Sequence, residues 1–193
     1  AFTLCSEGEE MNDREKLLRR VALKCADFAR QLSYHRALTR YQVEFNQNFW
    51  IYMFNNAIDL AVLDWFHLFG YHNDDLHWKQ VMPDIPAFRD ELYQLLQKTE
   101  EEWKAYRDNI KDYRDKDIAH IEVRPVGNVP DMTIALKAAS IYYSKVLSEL
   151  SVLGDYKGWS GDLEEYYTRS LEQTKKIFDA AYEASRIIEE RVF

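Results

Sequence analysis

The run from Phe49 to Phe69, apolar on almost every side, constrains this chain most. A stretch of that length reaches the range of a membrane span. Within it, however, stand Asn55, Asn56, Asp59, Asp64 and His67. Ionisable side chains at mid-bilayer depth are strongly disfavoured, so no membrane association is expected. The run predicts instead a helix over about 47–69, the central buried element of a bundle, enclosed by neighbours and stopped at Gly70. Asn56 and Asp59 lie on one side of it and, if buried, require partners such as an arginine from a neighbouring helix.

The rest of the chain supplies helical neighbours. Leu17, Val21, Cys25, Phe28 and Leu32 repeat at helical spacing, widened by Leu18, Ala22 and Ala29, and predict a first helix over 13–38 capped by Asn12 or Asp13. Residues 71–86 read as a linker with one helical turn around 76–81. A third helix opens at Pro86 and carries Phe88, Leu92, Leu95, Leu96, Trp103, Tyr106, Ile110 and Tyr113 without a break. Asp131 caps a fourth, with Leu136, Ala139, Tyr143, Val146, Leu147, Leu150 and Leu153 as its stripe. Ser160 or Asp162 caps a fifth, with Leu163, Tyr166, Tyr167, Leu171, Ile177, Phe178, Ala181 and Ile188 facing inward. Only 6 Gly and 4 Pro punctuate 193 residues, too few for a many-stranded sheet. The expected fold is all-α, an up-and-down bundle of about five helices over 13–193, a single domain after a disordered acidic lead-in at 1–12.

Several function classes are excluded by motifs that do not occur. The chain has no Walker A loop, dinucleotide glycine fingerprint, zinc-ligand spacing or nucleophile elbow. His67, His72 and His77 recur every five residues, which turns the rings to different helix faces, so no metal and no cofactor is expected. Cys5 and Cys25 do not make a disulfide framework, and no signal peptide is visible; a reducing cytoplasm is the expected setting. The net charge of −8 argues against general nucleic-acid binding. The bases of the first helix, from Arg14 to Arg40, could offer a surface to phosphates or simply form a solvated face.

The chemically informative stretch is Tyr113-Arg114-Asp115-Lys116-Asp117-Ile118-Ala119-His120-Ile121, between the long third pattern and a Pro/Gly loop. Arg114 offers a planar fork to phosphate oxygens, and His120 is the side-chain type that takes and gives protons near neutral pH. The spacing Arg114-x5-His120, with Asp115 directly after the arginine, resembles the Arg-x(4–6)-His signature of the HEPN superfamily, most closely its abortive-infection and toxin–antitoxin branch. That resemblance implies a homodimer whose two motifs meet in one cleft and a metal-independent endoribonuclease acting by 2′-OH attack. It assigns His120 as proton-transfer group, Arg114 as ligand of the scissile phosphate and Asp115 as orienting group. Lys111, Lys116 and Arg124 are candidate RNA-phosphate contacts.

Geometry sets a condition on this reading. On an unbroken α-helix six residues turn the chain by roughly 600°, leaving Arg114 and His120 about 120° apart. They share a phosphate only if the helix kinks or ends between them, or if partners come from two chains. Arg124-Pro125 and Gly127 to Pro130 favour an ending. The alternative is a non-catalytic helical module, binding a protein partner or a nucleotide, in which the Arg and His only cap a helix C-terminus.

Overall fold

In the computed structural model, residues 12–44, 46–119, 129–154 and 158–189 are described. The expected lead-in therefore lies almost wholly outside the described residues, as do His120 and Arg124. The fold is all-α, with no strand among the described residues.

The first helix, α1 (Asp13–Leu38), opens where the Asn12 side chain accepts from the Glu15 N–H at 2.8 Å, and a 3-10 turn (Thr39–Glu44) follows it. This helix, not the apolar run, is the hub: it packs against α2 (Asn48–Phe69), α6 (Thr133–Leu153) and α7 (Leu163–Ser185). Leu18, Val21, Ala22, Cys25, Phe28, Ala29 and Leu32 are all buried on it. The small residues in that stripe let neighbours approach from more than one direction. Burial also pushes the Cys25 thiol well above its ordinary range, as suits a small core residue.

The apolar run forms α2 as expected and stops at Gly70, but it is not enclosed all round. Trp50, Phe54, Ile58, Val62, Trp65 and Phe69 are buried, whereas Ile51 and Leu60 are exposed and Tyr52 keeps 66% of its surface. Among the described residues no helix is long and apolar enough to cross a membrane.

The expected unbroken third helix is two. α3 (Trp78–Val81) is a single turn in the linker, α4 runs Ile85–Leu96 and α5 runs Glu100–Tyr113. Gln97 takes a left-handed conformation with φ 53°, and Thr99 and Glu102 form a reciprocal capping box that starts α5. The apolar stripe stays in phase across this break, because Leu96 and Trp103 lie seven residues apart. That phase disguised two helices as one.

Asp131 stands one residue before the N-cap of α6, yet its carboxylate accepts from the Thr133 N–H at 2.9 Å and so serves the same end. In α6 Leu153 is exposed, and Ala135, Ala138 and Tyr142 join the buried stripe. In α7 the expected inward set is also corrected: Ala181 is exposed, Ile177 keeps 63% of its surface, Ile188 lies past the helix end and keeps 62%, and Leu163, Tyr167, Thr174 and Tyr182 are buried. Those four follow helical spacing, which decides the face ahead of hydrophobicity.

Candidate functional site

The α-helical pattern of α5 ends at Tyr113, and Arg114–Ala119 form a π turn. The regular α-helix thus gives way at Arg114, but a wider turn alone does not carry the chain round to bring a residue six positions on beside the arginine. Wide turns of this kind concentrate at functional sites. His120 itself lies outside the described residues.

Arg114 is built into the end of α2 by long-range contacts. Its guanidinium lies over the Phe66 ring at 4.1 Å and the Tyr71 ring at 4.6 Å, and it donates to the Tyr71 hydroxyl. Its Nε and one terminal nitrogen both donate to Asp115 Oδ1, the former at 2.8 Å. The side chain is only 14% exposed. Burial pulls the Arg114 pKa down, but the Tyr71 and Asp115 bonds outweigh it and the net direction is up. The other terminal nitrogen has no partner among the described residues. Asp115 also accepts from Lys111 Nζ at 2.6 Å. Burial raises the Asp115 pKa, but the two cations outweigh it and hold the carboxyl below its usual range.

Gly70 makes this stack feasible. A Cβ there would overlap the Phe66 ring and the Phe66 carbonyl, so only a glycine lets the chain turn so tightly against the ring that supports Arg114. Tyr113, the residue before the motif arginine, donates to Asp59 Oδ1 of α2 at 2.9 Å. Tyr113 thus supplies Asp59 with a partner from a neighbouring helix, and Asn56 is exposed.

The remaining candidate residues divide. Lys116 pairs with Asp112 at 2.7 Å, so both Lys111 and Lys116 are engaged by carboxylates one turn away. The bases of α1 and of the 3-10 turn after it are largely consumed inside the fold. Arg14 grips Glu149 and the Val81 carbonyl, Lys24 reaches Asp64 at 2.8 Å, Arg36 donates to Tyr167 and Thr133, and Arg40 pairs with Asp179. They do not form the free phosphate-facing surface that was one reading of α1. Among the described residues no group of three or more His, Cys, Asp or Glu could hold a metal; His67 bonds Asp74 at 2.5 Å, and the His72 and His77 rings stand edge to face at 5.0 Å.

Beside Arg114 lies a pocket of about 190 Å³, lined by Phe66, Gly70, Tyr71, His72, Arg107, Asp108 and Lys111. Sequence reasoning missed Phe66, Tyr71 and Arg107. The spacing 107, 111 and 114, which puts three cations on one helix face, was the available signal. Comparison with protein-family models, curated proteins and solved structures gives no match to this chain.

Proposed function

We propose that this protein is a metal-independent endoribonuclease of HEPN type, with Arg114 and His120 acting on one RNA phosphate in a cleft completed by a second copy. His120 removes the proton of a ribose 2′-OH, and the 2′-oxygen attacks the adjacent phosphorus. The P–O5′ bond breaks, and the 5′-oxygen takes a proton from the imidazolium of the second copy. Arg114 neutralises charge growing on the phosphate oxygens. Asp115 and Tyr71 hold its fork in place. The products are a 2′,3′-cyclic phosphate and a 5′-hydroxyl. A role in abortive infection or toxin–antitoxin defence follows from the same resemblance.

The observation that carries this reading is the state of Arg114: stacked on two aromatic rings, oriented by Asp115, with one terminal nitrogen unclaimed among the described residues, on a π turn leading to His120. Such a guanidinium is preorganised for an anion, so little ordering cost remains when phosphate arrives. The exposed α2 face favours a second copy. Tyr52 and Leu60 are open there, and Asp59, on the same face, accepts from the motif's own Tyr113.

Incubation with RNA in EDTA tests the proposal. The wild type, sedimenting as a dimer, should cleave; Arg114→Ala and His120→Ala should lose about 10²–10³-fold in rate while keeping wild-type helicity. Equal cleavage by the folded variants, or none by the wild type, would instead favour a non-catalytic helical module. The second reading has its own support, since Asp115 and Tyr71 already satisfy much of Arg114 and the net charge is −8.

A further inference from the structure

The strongest unexplained charge in the molecule is Arg107. It stands on α5, its Nε is buried, and neither that nitrogen nor its terminal nitrogens have a hydrogen-bond or ion-pair partner among the described residues. Asp108, beside it on the pocket rim, does not pair with it. Lys79 is close by, lies over the Trp78 ring at 5.4 Å and also lacks a described carboxylate partner. Burial and then the Arg107 charge lower the Lys79 pKa; at His72 burial, Lys79 and Arg107 act in that order, also downward. Like charges thus gather at and beside the pocket in an acidic protein, where carboxylates are plentiful enough to neutralise nearly every other buried cation. An unpaired, partly buried guanidinium is costly, and that cost is recovered when an anion arrives.

We infer that the pocket formed by Gly70, Tyr71 and His72 at the end of α2 and by Arg107 and Lys111 on α5 binds a phosphate group, and that in RNA it takes the backbone phosphate next to the scissile one. The first half stands on the geometry; the second rests on the nuclease reading. Arg107, Lys111 and Arg114 occur at i, i+4 and i+7, so they rise along one helix face over about 10 Å and line up beside a strand whose scissile phosphate sits at Arg114. Asp108 at the rim opposes a highly charged ligand and favours a single phosphate there over a polyphosphate.

Two measurements on the full chain test this separately. In ¹H–¹⁵N spectra, the Arg107 Nε–H signal is assigned by its absence from Arg107→Gln, and inorganic phosphate is titrated against chloride at equal ionic strength. A saturable shift of that signal by phosphate alone is expected; no shift, or the same shift with chloride, overturns the pocket. In RNA cleavage, Arg107→Gln should raise KM about tenfold, with a smaller change in kcat, and reduce the slope of log KM against log salt by about 1. Arg107→Lys, which keeps the charge and loses the fork, should fall between. An unchanged KM in Arg107→Gln with wild-type helicity overturns the assignment to RNA. If the wild type cleaves no RNA the nuclease reading falls, and the phosphate titration still decides the pocket.

Discussion

The arginines of α1 and those of α5 are the same residue type in opposite circumstances. On α1 and the 3-10 turn after it, Arg14, Arg36 and Arg40 are each bonded to oxygens of another helix and hold the bundle together. On α5 and the turn after it, Arg107 has no described partner and Arg114 is oriented by Asp115 and two rings with part of its fork unclaimed. The difference shows where charge serves the fold and where it awaits something else. A helix dense in bases is therefore not the basic surface it resembles in sequence, and a helix of mixed charge carries the free cations.

This contrast can be broken at several points. The largest effect on stability is expected at His77, which packs against His72 beside the pocket. It is fully buried; its Nδ1 accepts from the Lys79 N–H at 3.1 Å, and its Nε2 lacks a hydrogen-bond partner among the described residues. Burial, reinforced by His72 and Lys79, lowers its pKa from 6.5 to about 4. The unfolded chain therefore binds a proton that the folded chain refuses. The neutral ring contributes stability in full above pH 6.5, and that contribution is lost as pH falls toward 4, by about 3 kcal/mol. Urea unfolding across this window should show a steeper loss in wild type than in His77→Asn, which still offers an acceptor to the Lys79 N–H. Parallel curves would show that the buried ring does not carry this pH dependence.

Next in size is Gly70→Ala. The added methyl must displace the Phe66 ring, at about 1–3 kcal/mol of stability, and Arg114 loses its platform. Thermal melts should fall and RNA cleavage should fall with them. A variant that melts like wild type would show that the stack is adjustable.

The smallest effect separates the two arginine groups most cleanly. Arg14→Ala removes bonds to Glu149 and Val81 at a half-exposed site, so about 1–2 kcal/mol should be lost. KM for RNA should not move. Arg107→Gln should do the reverse, moving KM while the melting temperature holds or rises, since the unpaired charge is removed.

Much of the fold was legible because burial follows period. The α1 stripe, the Asn12 cap, the stop at Gly70 and the core position of Cys25 all follow from local pattern. The break at Gln97 to Thr99 was written in the sequence as Thr99-x-x-Glu102, but an apolar stripe running in phase across it masked the signal. Hydrophobicity points Ile177 and Ile188 inward, but Ile177 falls at the edge of the buried stripe of α7 and Ile188 lies past its end. For the site, the motif residues could be read because they are consecutive. Their setting could not: Phe66 and Tyr71 reach Arg114 from more than forty residues away, and whether Arg107 finds a carboxylate is decided by packing, not by its neighbours in the chain.

The central claim is that Arg114 and His120 drive attack by a ribose 2′-hydroxyl without a metal. Single-turnover cleavage in EDTA of two RNAs, identical except for one 2′-deoxy sugar at the cleaved linkage, tests it most directly. The account predicts that the all-ribose strand is cut to a 2′,3′-cyclic phosphate and a 5′-hydroxyl while the deoxy linkage stays intact. Cleavage at the deoxy linkage, or no cleavage of either strand, would contradict it.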